Sequence, residues 1–187
     1  MANSAPNSGN YQIVLPIGQH YNFYAQVPNY YAIHEMLDAT QIKEYTEMEI
    51  DIMLVPIKVG STIQMKQVTF DANKWDIQAS SYIELDRVAE FLLYNKNIYI
   101  EVSGHTNNLC DEVFCKELSQ KRAMAIKQYL VSKGVASERI KSVGYGSTQP
   151  LVQNNSKENR KHNQRVAFKV LTINDQENAQ EKAPKDE

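Results

Sequence analysis

The stretch "GHTNNLCDEVFCKELSQKRA", residues 104–123, gathers the side chains of this chain that could do chemistry. His105, Cys110, Asp111 and Cys115 could ligate a metal, a cysteine with His105 could make a nucleophile–base pair, and Arg122 could grip an anion. A structural zinc site pairs thiolates at C-x2-4-C and draws a second pair from elsewhere. The gap between Cys110 and Cys115 fits, but these are the only 2 cysteines and no second pair exists, so no metal is expected. A catalytic pair needs a base held against the thiol and a third group orienting that base, which closeness in sequence does not supply. The two cysteines fit one disulfide in an oxidising compartment or two free thiols elsewhere. A bridge between them requires the chain to bend, because a regular helix holds such positions too far apart.

Arg122 lies four residues past Leu118, at the margin of an apolar helical stripe. A helical arginine is ordinarily a solvated surface charge, yet its planar fork matches a carboxylate. A pocket for an ionic ligand is therefore the third reading of the stretch.

The elements that would hold these residues follow from periodicity. A helix is predicted from Glu112 to Lys133, with Leu118, Ala123, Ile126 and Leu130 on one stripe and Gly134 as its stop. Before it, "NIYIEVS" reads as a strand, and "SSYIELDRVAEFLLYN" as a helix with Leu85, Val88, Ala89 and Leu92 at helical spacing behind N-capping serines. "IQMKQVTF" reads as a strand, as do "RIKSVGYG" and "RVAFKVL", the last two separated by the polar loop "STQPLVQNNSKENRKHNQ". The order is βαβαββ, an α+β fold with two main helices on one sheet.

Gly60-Ser61 marks the start of this domain. Residues 1–59 form a polar N-terminus and a β-rich segment, with "YQIVLPI", "HYNFYAQV", "YYAIHEML" and "EMEIDIMLVPIKV" strand-like between turn signals. That segment is too short for a whole sandwich of about 100 residues. The domain runs over 60–172, and the charged tail, 173–187, is expected to be disordered.

With 20 Lys plus Arg against 22 Asp plus Glu, the chain lacks the basic excess that tracks nucleic acid. No run of about eighteen apolar residues occurs, so no transmembrane helix is expected. "MANSAPNSGN" has neither a basic nor an apolar signal region and reads as the start of a piece cut from a longer chain.

"GHTNN" with "LSQKRA", "YLVSKGV", "RIKSVGYGSTQP" and "NRKHNQRVAFKV", preceded by "VTFDANKWDI", resembles the C-terminal peptidoglycan-binding domain of the OmpA family, which also takes in Pal and flagellar stator proteins. The resemblance covers about residues 60 to 172. It implies the same βαβαββ fold, no cofactor, and non-covalent capture of a diaminopimelate-type residue in a peptidoglycan stem peptide. The positions it implicates are Asp71, Asn73, Thr106, Asn107, Leu118, Arg122 and Arg165, the loop and Arg122 forming two sides of one pocket. Asn107 stands where the family carries Asp, Cys110 replaces a usual Gly, Cys115 a usual Asn, and Gln164 the first Arg of Asn-Arg-Arg.

The N-terminal piece resembles the end of a carboxypeptidase-regulatory-like sandwich in outer-membrane lipoproteins of Bacteroidetes, of the kind found in the type IX secretion system. That implies a periplasmic, outer-membrane-associated home and secretion-system or outer-membrane partners. Two rival functions stay open: an enzyme on peptidoglycan or peptide using His105, Glu112 or a cysteine, and an interaction module with a degenerate pocket.

Overall fold

The computed structural model describes residues 5, 8–23, 25–32 and 35–174. They fall into two compact units that divide between Val55 and Pro56. In the first, β1 (His20–Phe23), β2 (Tyr30–Ala32), β3 (Glu35–Asp38) and β4 (Leu54–Pro56) form two short ladders, β1 with β3 and β2 with β4. "YQIVLPI" and Glu49–Met53, expected as strands, are not paired. Their apolar side chains find little to pack on, since Ala39 is the one fully buried apolar residue among those described before Pro56.

The second unit runs β5 (Thr62–Gln64), α1 (Tyr82–Tyr94), β6 (Ile98–His105), α2 (Glu112–Ser132), β7 (Ile140–Gly146), α3 (Lys157–Asn163) and β8 (Arg165–Ile173). The strands make one mixed sheet in the order β5-β8-β6-β7, with β6 and β7 parallel and the other pairs antiparallel. Alternation along β6 sends Ile98, Ile100, Val102 and Gly104 to the face on which α1 and α2 pack. Leu85, Val88, Ala89 and Leu92 from α1 and Leu118, Ala123, Ile126 and Leu130 from α2 meet Phe168 and Val170 there, all buried.

Two glycines set how closely α2 approaches. Gly104 of β6 and Gly144 of β7 are register partners. A Cβ on Gly104 would overlap the Ser119 main-chain oxygen, and one on Gly144 the Gln120 amide nitrogen. The sheet thus offers a bare patch on which the helix backbone rests. At the outermost strand, the Gln120 side chain accepts from Gly144 N–H at 2.7 Å and donates to Ser142 O at 3.3 Å, satisfying strand groups that would otherwise lie open.

Helix ends use local polar chemistry. Asp111 caps α2, accepting from Phe114 N–H at 2.9 Å, and Gly134, at φ 100°, closes the far end. The serine expected to cap α1 does something else: Ser81 makes no cap bond, and its Oγ accepts from Thr69 N–H at 3.0 Å. The strand expected over "IQMKQVTF" stops at Gln64. Beyond it Gln67 N–H is taken by the Glu84 carboxylate at 2.6 Å, and Phe70 makes only a single bridge to Ile77.

The polar loop before β8 contains α3. Ser156 caps it, and the fully buried Asn163 side chain accepts from Leu151 and Val152 N–H and donates to Val152 O. Side-chain bonds to backbone, rather than an apolar stripe, hold this turn. Of the expected disordered tail, Ile173 ends β8 and Asn174 donates to Asn97 O, while residues 175–187 lie outside the described residues.

Candidate functional site

Arg122 leaves α2 at mid-helix and is buried, with 7% of its surface exposed, where its sequence position suggested only the stripe's margin. Its Nε donates to Lys74 O at 2.9 Å and one Nη to Asp71 O at 3.0 Å, and its guanidinium lies 4.9 Å from the Phe70 ring centroid. The loop after Phe70 is therefore tied to α2 through one planar, pinned cation. Burial pushes the Arg122 pKa below its ordinary value.

Beside it opens a cleft of about 210 Å3 lined by Val68, Thr69, Phe70, Arg122, Lys161, Gln164, Arg165 and Val166. Arg165, at the start of β8, donates to Gln149 O at 3.0 Å and Asn163 O at 3.4 Å, and burial lowers its pKa as well. Lys161 reaches the cleft from α3.

The seven residues implicated by sequence are only partly brought together. Arg122 and Arg165 share the cleft. Asp71 does not line it but is tied to Arg122 through its carbonyl, while its carboxylate accepts from Gln78 at 2.6 Å and pairs with Lys74 at 3.4 Å. Asn73 is exposed in the same turn at φ 57°, the left-handed region that Asn tolerates. Thr106 and Asn107 are buried in the loop after β6 and do not line the cleft. The Asn107 Oδ1 accepts from Leu109 N–H at 3.0 Å, an Asx turn, and Thr106 Oγ1 is buried without a partner. Leu118 is a core residue of α2 and not a cleft wall. Sequence reasoning missed Lys161 and Phe70, which line the cleft. The capping serine of "SKENRKHNQ" was the one local signal that a helix would present Lys161 there.

Cys110 and Cys115 form a disulfide with Cα atoms 5.6 Å apart, the bend falling where the loop enters α2. Neither described cysteine is a free thiol, so a cysteine nucleophile has no donor here. Among the described residues no group of three His, Cys, Asp or Glu side chains converges to hold a metal. The bridge closes a short loop, and chain entropy assigns it about 2 kcal/mol. Reduction is expected to lower the thermal midpoint accordingly while leaving the lining of the cleft in place, because the bridged loop does not line it. Superimposable melting curves after reduction verified by mass would contradict this.

His105 stacks on Tyr145, ring centroids 5.3 Å apart, with its Nδ1 buried and unpartnered. Burial and then the Arg165 charge push its pKa from 6.5 down to about 4, against the opposing pull of Glu101. The unfolded chain then binds more protons than the folded one between these values, so stability is full above the unfolded pKa and falls as pH drops through the window. After allowance for solvent screening, the loss at pH 4 from this residue is on the order of 2 kcal/mol. His105→Gln should flatten the stability–pH curve between pH 6.5 and 4; an unchanged slope in urea titrations would rule it out.

A mixed sheet with α1 and α2 packed on one face, and a cleft lined by three cations, defines an α+β domain with a candidate anion site. The chain belongs to the OmpA family, whose profile matches residues 69–164. It is 32% identical over 125 residues to a peptidoglycan-associated lipoprotein of Buchnera aphidicola, covering 67% of this chain and 69% of that one. It is 37% identical over 103 residues to outer membrane porin F of Pseudomonas fluorescens, covering 55% of this chain but only 32% of the porin. Among solved structures, the periplasmic domain of Helicobacter pylori MotB aligns at TM-score 0.55 with 26% identity, covering 67% of this chain and 85% of that domain. Among the described residues no helix is long and apolar enough to cross a membrane.

Proposed function

We propose that this chain binds peptidoglycan without covalent chemistry, taking the diamino-acid end of a stem peptide into the cleft beside Arg122, and so ties an outer-membrane assembly to the cell wall. The observation that carries the reading is the buried, pinned Arg122 guanidinium opening onto a cleft. A preset fork of this kind receives a carboxylate with little ordering cost. Arg122 and Arg165 would contact the ligand, the turn that carries Asp71 and Asn73 would act through its carbonyl bond to Arg122, and Thr106, Asn107 and Leu118 would act from outside the cleft. Similarity to a peptidoglycan-associated lipoprotein supports a wall-binding role, and similarity to an outer membrane porin and a periplasmic domain supports the setting. The Cys110–Cys115 bridge supports an oxidising compartment such as the periplasm.

The chain spans about a third of porin F, so what it anchors is part of the proposal. The N-terminal resemblance favours a PorE-like lipoprotein of a Bacteroidetes type IX secretion system. One stem peptide offers little contact area, and avidity along a polymeric wall would supply the hold. Co-sedimentation with purified sacculi, followed by analysis of the supernatant, tests the reading. Binding without soluble fragments is expected; release of fragments would establish the enzyme alternative, and no sedimentation the degenerate module.

A further inference from the structure

The charge around the cleft is one-sided. Arg122, Lys161 and Arg165 line it and no carboxylate does. Among the described residues none of the three makes an ion pair. The Lys74, Asp71, Gln149 and Asn163 carbonyls fix the two guanidinium planes without neutralising them. Two side chains implicated by sequence that could accept from a ligand ammonium do not line the cleft: the Asp71 carboxylate accepts from Gln78 and pairs with Lys74, and the neutral Asn107 accepts from Leu109 N–H.

Three like charges line the cleft without a counter-charge among its lining residues, and two of them, Arg122 and Arg165, are also desolvated by burial. A zwitterionic ligand end would relieve only part of this, whereas two anionic groups would relieve most of it.

We propose that the cleft is a two-anion site, taking a stem-peptide end that presents two free carboxylates, one to Arg122 and the other to Arg165 with Lys161, and requiring no ammonium. This rests on the peptidoglycan reading and narrows it: the protein selects stem peptides by the state of their carboxyl groups, rejecting amidated ones. Arg122 supplies the rigid subsite, since its fork is pinned and buried. Lys161, exposed on a short helix, supplies an adjustable point charge.

Calorimetric titration with a synthetic stem tripeptide ending in diaminopimelate tests it, alongside derivatives with the side-chain amine acetylated or one carboxylate at a time converted to amide. Acetylation should change affinity by less than about threefold, and two different single amides should each weaken it about tenfold or more, the scale of one charge-assisted bond. Lys161→Ala should weaken the unmodified peptide while leaving one of those two amides unaffected. Loss of binding on acetylation, or sensitivity to no more than one amide, overturns the two-anion site and leaves peptidoglycan binding intact. Sacculi bound by a protein that ignores the tripeptide overturn it equally. If neither sacculi nor tripeptide bind, the functional reading itself fails and takes this inference with it.

Discussion

Replacing Arg122 with alanine is expected to weaken sacculus binding by about ten- to a hundredfold, the value of one charge-assisted, bidentate contact of roughly 1.5–3 kcal/mol. The same change should also destabilise the fold, because two bonds to the Lys74 and Asp71 carbonyls disappear and leave those acceptors behind. About 2–4 kcal/mol is the expected cost, bonds to a charged group being the stronger kind. The two effects separate by comparison with Arg122→Lys, which keeps the charge and loses the fork. Lysine should recover part of the binding and little of the stability, since its single compact nitrogen does not reproduce the planar fork whose separate nitrogens reach the Lys74 and Asp71 carbonyls. Binding is read by co-sedimentation at temperatures where each variant is folded, and stability by urea unfolding. A folded alanine variant that sediments with sacculi like the wild type would remove Arg122 from the site.

Gly144→Ala should be more damaging to the fold than any surface change, costing about 3 kcal/mol or more, the upper range for overpacking. The added methyl would collide with the backbone of α2 at Gln120, which has no rotamer to escape into, and would disturb the Gly144 N–H bond to the Gln120 side chain. Relief requires α2 to lift off the sheet. Arg122 sits half a turn further along the same helix, so lifting would also draw its guanidinium away from Phe70 and the loop carbonyls. Reduced sacculus binding should therefore accompany the loss of stability even at temperatures where the variant is folded. Gly104→Ala, whose methyl would meet the Ser119 oxygen, should behave alike. Wild-type midpoints in urea for both would show that α2 does not rest on this glycine pair.

Much of the frame was legible from local pattern. The stripes of α1 and α2 and the strands β6, β7 and β8 follow from apolar spacing that a helix or a strand must bury on one side, and the OmpA resemblance agreed with them. The motif arginines were legible as well, as residue types. Their states were not. Whether Arg122 is a solvated charge or a buried one depends on the loop after Phe70 folding back to offer two carbonyls, and nothing within a helical turn of Arg122 encodes that. Similarly, α3 has no apolar period, and its cap signal counts only because Asn163 finds backbone partners at Leu151 and Val152. The glycines at 104 and 144 look in sequence like ordinary strand breaks, and become a seat for α2 only when β6 and β7 lie side by side. The sequence by itself determined α1, α2, β6, β7 and β8 and the chemistry available, because those rest on interactions within a few residues. The tertiary structure alone decided which charges are desolvated, which are left uncompensated, and which share one cleft, because those depend on groups brought together from distant parts of the chain.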